Sequence, residues 1–409
     1  MNVVAARTGA KSILGNCIVK IILALGEKIN PKKLYNIINL KDQKLTEIMF
    51  SSLKADSSLF KEEEWLKAGD FAYEIRFFPH AFQCYQRASE INKSEATLRK
   101  LNDIVDKITN VLELVPEKLK VDLEEIRLSN PLDPGKWLAI ANKFLKEYSD
   151  ELSQNKVEAS SKEAAEFALA FTIYCAKRSG NSITEMNKVL QDLVADKAKF
   201  ASKKFNLTKL SQNKNGESIK FVCFGDNISL GLMPDWSINF SETYHYLWSK
   251  ELNTKITLAN NSISGAGVLD LCLYAQRDIL NYKADVVLLM LGNVDAWLEE
   301  ETALAFQVLY SAMLKLIKAS GVEPIVISPI PQIMNKTPDT DIPPGLSKDD
   351  YKIESFVKAA QAAALENEVC FVDAYCNFPQ NENYYANQYS LPNLEGQLEI
   401  KKALLKETI

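Results

Sequence analysis

Five places in this chain set polar or conformationally free residues directly after an apolar run. Phe224-Gly225-Asp226-Asn227-Ile228-Ser229-Leu230-Gly231 closes the first run and Asn260-Asn261-Ser262-Ile263-Ser264-Gly265 follows the second. Leu291-Gly292-Asn293-Val294-Asp295 follows the third, Ser328-Pro329-Ile330-Pro331 the fourth and Asp373-Ala374 the fifth. Asp226 and Asp295 could form a carboxylate pair, suited to acid–base work or to a hard cation. Asn227, Asn293, Gln388 and Asn393 bring amides, which donate and accept hydrogen bonds without charge, and Gly265 brings an unobstructed backbone N–H. Conventional nucleophile and base chemistry is scarce. The chain holds 2 histidines, His80 and His245. His245 lies among Tyr244, Tyr246 and Trp248 in a helical segment and reads as a packed or surface residue, while His80 reads as part of a helix–helix turn. Ser229, two places past Asn227, reads as a helix-start hydroxyl. With no Cys/His cluster, neither a zinc site nor any other metal or cofactor is expected.

The elements that would carry these residues fall into two grammars. Short apolar runs of strand type, Ile219–Gly225, Ile256–Ala259, Val286–Leu291, Pro324–Ser328 and Val369–Val372, alternate with helical segments. Strands apolar on both faces and separated by helices predict a parallel sheet covered on both sides, an α/β three-layer domain over 219–409. Such folds expose their ligand sites at the carboxyl ends of the strands, where the five clusters stand. Residues 1–210 instead read as helices throughout. Helices are expected near 13–25, 31–57, 95–125 and 183–203, and Asn206–Ser218 reads as a linker between two domains.

Within the helical half, Trp65, Gly69, Ala81, Tyr85 and Ala88 stand at spacings that resemble a tetratricopeptide repeat, in which small residues let two antiparallel helices approach. Ala72 stands where that family prefers an aromatic and Lys93 where it often has proline. A weaker copy opens at Trp137, with Ala141 and Phe144, and continues in Ala164–Ala176 with Ala170 and Tyr174, across a polar insertion Ser149–Lys162. A generic helical bundle is the plainer alternative.

The strand-end clusters resemble, in order, the conserved blocks of the SGNH/GDSL hydrolases, a flavodoxin-like fold: Gly225-Asp226-Asn227, the glycine block at Gly265, the Gly-x-Asn-Asp block at Gly292–Asp295, and Gln388-Tyr389-Ser390-Leu391-Pro392-Asn393-Leu394-Glu395-Gly396. The resemblance implies an acyl hydrolase in which serine attacks, histidine takes its proton and aspartate orients the histidine. This chain departs at each of those positions. Asn227 stands for the serine, Leu391 for the histidine and Gln388 for the aspartate. Val294 stands for the asparagine that would stabilise an oxyanion, unless Asn293 serves from one position earlier. Loss of such a serine or histidine costs on the order of 10⁶ in turnover. The catalytic assignment is therefore empty, and Asp226, Asn227, Gly265, Asn293, Asp295, Gln388 and Asn393 become a candidate ligand cleft.

The functional expectation is a non-catalytic pseudo-hydrolase on a helical-repeat scaffold, binding a partner protein or a small acylated-glycan type of ligand. The alternatives are a purely structural adaptor, with the cleft plugged by Leu391, Val294 and Trp297, and a weak or rewired esterase or acyltransferase. A net charge of −5 supplies no basic surplus for nucleic acid. The 7 cysteines, odd in number and without a CxxC pair, suit a reducing compartment. No membrane span is expected, and a cytoplasmic location follows as the expectation.

Overall fold

The computed structural model describes residues 61–408 apart from short internal stretches, the longest being 336–347. Expected helices near 13–25 and 31–57 lie outside the described residues.

The strands form where the apolar runs predicted them. β1 (Ile219–Gly225), β2 (Ile256–Asn260), β3 (Val286–Met290), β4 (Glu323–Ile327) and β5 (Cys370–Val372) make one sheet in the order β2-β1-β3-β4-β5. Every pairing is parallel. β3 lies at the centre and is buried at every residue. Because successive side chains point to opposite faces, Val222, Phe224, Val287 and Leu289 face one core while Phe221, Cys223, Leu288 and Met290 face another.

The second core is closed by α9 (Tyr244–Glu251) and α13 (Leu394–Thr408), through Tyr244, Trp248, Ile400 and Leu404. The first is closed by α10 (Val268–Ala275), α11 (Ala303–Ala319) and α12 (Ile353–Glu366). The stretch Glu300–Ala319, which contains α11, is long and apolar enough by composition to cross a membrane. Here α11 is a core helix, with Phe306, Leu309, Met313 and Leu314 fully buried.

A further helical layer covers α11 from outside. α4 (Pro134–Ser153) and α5 (Ala159–Arg178) form a hairpin in which Trp137 stacks on Phe171 with ring centroids 4.1 Å apart. α6 (Thr184–Val194) packs beside α5. Apolar residues of α4 to α6 and of the sheet domain belong to one continuous buried cluster, so the core runs across the boundary expected near residue 210. The start of α4 is set by Asp133, whose carboxylate caps the amides of Gly135 and Lys136, with Pro134 at the first helical position.

Farther out, α1 (Glu62–Glu74), α2 (Phe78–Ile91) and α3 (Glu95–Ile108) follow in sequence. Trp65, Ala68, Ala72, Ala81, Tyr85 and Ala88 are all buried between or beneath them. Gly69 permits the close approach, since a Cβ there would stand 2.5 Å from the Tyr85 ring.

Four expectations need correction. His80 lies in the first turn of α2 rather than in the turn between helices. The insertion Ser149–Lys162 is mostly helix, because α4 runs to Ser153 and α5 begins at Ala159; most polar residues described there lie on exposed helix faces, while Ser161 is buried. The expected 95–125 and 183–203 helices are shorter, ending as helices at Ile108 and Val194. The linker Asn206–Ser218 contains α7 (Leu207–Asn213), started by the Asn206 side chain and anchored by buried Leu207. Its polar composition hid an N-cap, because asparagine serves caps and loops alike.

Candidate functional site

The carboxyl end of β1 turns abruptly into a four-residue helix, α8 (Asn227–Leu230). Asp226 makes that turn: its carboxylate caps the Ile228 amide at 2.9 Å. Gly231 ends the helix at φ +80°, a conformation that favours glycine. Gly225 is required by crowding, since a Cβ there would lie 2.5 Å from Ser229 Oγ and 2.6 Å from the Met290 carbonyl. Asn227 is thereby presented at the head of α8, half-buried, with its side chain facing the loop that follows β2.

That loop is tied to β1. Asn261 N–H donates to the Cys223 carbonyl and Ile263 N–H to the Gly225 carbonyl, so the turn at Ser264–Gly265 is held opposite Asn227. Gly265 sits at φ +73° and is exposed. Two donors converge from this turn onto one acceptor. Ser264 Oγ donates to Asn227 Oδ1 at 2.8 Å, and Gly265 N–H donates to the same oxygen at 2.9 Å. The asparagine carbonyl thus occupies a two-donor pocket built from a backbone amide and a hydroxyl. Such a pocket suits any carbonyl or developing oxyanion.

Behind Asn227 lies a second polar pair. Asn293 Nδ2 donates to Asp226 Oδ2 at 3.0 Å, and both residues are buried. Burial pushes the Asp226 carboxyl up to about 6, against the hydrogen bonds from Ile228 N–H and the Asn293 amide that favour its charged form. One of the two Asn293 N–H donors is thus committed to Asp226, while the pocket around Asn227 Oδ1 is made by Ser264 and Gly265.

Asp295 is elsewhere. Its Oδ1 accepts from Val268 N–H at 3.0 Å, at the start of α10, and from Tyr174 Oη of α5 at 3.0 Å. Asp226 is tied to the head of α8 and to Asn293, and Asp295 to the start of α10 and to α5. Asn393 also serves a turn, with Nδ2 on the Asn383 carbonyl at 2.7 Å and Oδ1 accepting from Gly396 N–H at 3.1 Å. Gln388 lies outside the described residues. Leu391 is described and half-buried; its amide donates to Asn387 Oδ1 at 2.8 Å. Val294 and Trp297 are likewise half-buried, and Trp297 packs against the first core with its ring 4.8 Å from that of Tyr351.

The other candidate groups are committed to packing. Ser229 is fully buried and shares a hydrogen bond with Tyr244 Oη at 3.0 Å. His245 is fully buried, with Nε2 2.8 Å from the Ser229 carbonyl and Nδ1 3.2 Å from Thr243 Oγ1. Burial holds its pKa down at about 4, so it is a neutral packed histidine. Among the described residues no group of three or more His, Cys, Asp or Glu is arranged to hold a metal ion. A cleft of about 390 Å³ opens between α5 and α11, lined by Phe167, Phe200, Val308, Leu316 and the carboxylates of Glu166 and Glu366. None of the residues around Asn227 lines it.

Two participants were not assigned to the site from the sequence. Ser264 stood next to the glycine that was, and its hydroxyl gains meaning only from the loop's closure onto β1. Tyr174 was singled out only as a repeat-packing residue, because it meets Asp295 across 121 residues of chain.

Residues 223–397 match the model of the GDSL-like lipase/acylhydrolase family. The match begins inside β1 and runs into α13, so the part of the chain that resembles this family is the region that holds the parallel sheet. No curated protein matches the chain. Among solved structures, an acetylxylan esterase from Geobacillus stearothermophilus is 19% identical with a TM-score of 0.37, covering 47% of this chain and 95% of its own. A lipase/acylhydrolase from Enterococcus faecalis is 18% identical with a TM-score of 0.37, covering 46% of this chain and 94% of its own.

Proposed function

We propose that this protein is a non-catalytic binding protein, in which a hydrolase-like domain is kept as a recognition unit and the helical layers as its scaffold. The observation that carries the reading is the position of Asn227 Oδ1 between the Ser264 hydroxyl and the Gly265 amide. In the resemblance to the SGNH/GDSL hydrolases, residue 227 stands where serine attacks, and the Gly265 amide is a donor to the oxyanion. Here the side chain at the attacking position is an amide, which supplies no nucleophile, and its own carbonyl takes the donors a substrate carbonyl would need.

The missing base points the same way. Leu391 stands at the histidine position, and His245 is locked neutral inside the second core. Without a nucleophile and base the remaining hole would yield on the order of 10³–10⁴ over water at best, and a filled hole yields less.

The ligand class follows from what Asn227 leaves available. It is half-buried, and its donors and acceptors are uncharged, which suits an acylated sugar or another neutral carbonyl-bearing molecule. Such a ligand would displace the Asn227 carbonyl and take its place on Ser264 and Gly265. The acetylxylan esterase among the similar structures supplies a probe, acetylated xylobiose.

Calorimetric titration of that probe into the wild type and into Asn227→Leu tests the reading. Binding that is lost or altered several-fold by the substitution supports it. Binding that is the same in both places the ligand elsewhere and removes the cleft from the account.

A further inference from the structure

The turn that holds Asn227 is itself held from outside the hydrolase-like domain. Ser264 and Gly265 are followed by Ala266 and Gly267, and Val268 opens α10. Two carboxylates hold this segment: Asp270 Oδ2 accepts from Gly267 N–H at 2.9 Å, and Asp295 Oδ1 accepts from Val268 N–H at 3.0 Å. The contact is tight, since a Cβ on Gly267 would lie 2.6 Å from the same oxygen. Any shift of the Asp295 carboxylate is therefore transmitted to a backbone with no side chain to absorb it.

The same oxygen accepts from Tyr174 Oη, also at 3.0 Å. Tyr174 lies in α5, fully buried, and precedes the family-matched segment 223–397 by almost fifty residues of chain. Its ring is packed in the core shared by α5 and α11, so its hydroxyl has a fixed origin. A hydroxyl donating to a buried carboxylate is a strong, directional contact.

We infer that Tyr174 is a positioning residue for the binding turn: through Asp295, the helical layer sets the aim of the Ser264 and Gly265 donors. The inference rests on the reading of Asn227, Ser264 and Gly265 as the ligand site. It adds that the site is coupled to the packing of α5. Anything that shifts α5 against α11 moves the Asp295 carboxylate and with it the turn. The helical layer then has a role beyond covering the sheet, because a truncated domain spanning 219–409 would keep Asp295 and lose the donor that orients it.

The test is backbone hydrogen exchange on the full chain without ligand, so its outcome is separate from whether any probe binds. Tyr174→Phe removes only the hydroxyl and keeps the ring. The expected result is exchange at Gly265 and Val268 faster by about tenfold or more, the scale of one lost hydrogen bond to a charged group, with Leu288 and Leu289 in β3 unchanged. Unchanged exchange at Gly265 and Val268 in Tyr174→Phe would overturn the inference. So would an equal acceleration across the turn and β3, which would mark a general loss of stability.

Discussion

His245 and Asp226 are two buried titratable groups whose effects on stability oppose one another as pH falls. His245 has an ordinary value of 6.5 and is held at about 4 in the folded chain, because burial disfavours its cation. Unfolded molecules take the proton first, so folding stability is lost as pH falls from 6.5 to 4. Each pH unit of separation is worth about 1.36 kcal/mol, so the loss is about 3 kcal/mol. Asp226 runs the other way. Its ordinary value of 3.8 is raised to about 6 by burial. Folded molecules take this proton first, and stability is gained as pH falls from 6 to 3.8, again by about 3 kcal/mol. Both groups are fully buried, so solvent screening removes little of either effect. In the wild type the two nearly cancel between pH 6.5 and 4. Replacing one exposes the other. His245→Gln should become more stable relative to the wild type by about 3 kcal/mol on going from pH 7 to pH 4, and Asp226→Asn should become less stable by a similar amount. Urea unfolding of the wild type and both variants at pH 7, 6, 5 and 4 reads this as the variant-minus-wild-type difference. A difference that stays flat with pH for His245→Gln would refute the assignment of that imidazole as a neutral core residue.

Two structural changes have definite expected sizes. Gly225→Ala would drive a methyl group against Ser229 Oγ and the Met290 carbonyl at 2.5 and 2.6 Å, and the backbone oxygen cannot yield. Overpacking there should cost about 1–3 kcal/mol or more, read as a lower thermal midpoint together with disturbed amide signals at Asn227 and Gly265. Trp137→Ala removes a fully buried ring stacked on Phe171. It should cost about 3–5 kcal/mol, and because the helical layer and the sheet share one core, unfolding should remain a single transition at a lower denaturant concentration. Separate transitions for the helical and sheet portions would contradict that shared core.

The sheet was legible because its signal is local. Runs such as Val286–Met290 are apolar on both faces, and that pattern alone implies a strand buried between two layers. The turn at Gly225-Asp226 was legible for a similar reason, since the cap is made by the neighbouring side chain. What the sequence did not disclose depends on contacts between distant segments. Asn293 was read as a possible oxyanion donor, but its amide goes to Asp226, 67 residues away. Asp295 was read with the cleft, but its partners are Val268 and Tyr174. Asn393 carries the residue type of a binding group and does the work of a turn. In each case only the three-dimensional arrangement decides which hydrogen bond the amide or carboxylate makes. The continuous core between the helical layer and the sheet was also hidden, because a polar, asparagine-rich stretch such as 206–218 looks alike whether it is a free linker or a capped helix anchored by Leu207.

The central claim is that the side chain at position 227 fills the donor pocket instead of attacking a substrate. The most direct measurement is hydrolysis of a chromogenic acetyl ester by the wild type beside Asn227→Leu at equal concentration. The two should release product at the same rate, at the level of buffer with an inert protein. Turnover by the wild type that disappears in Asn227→Leu would mean that residue 227 takes part in catalysis, and the account of a binding site would be wrong.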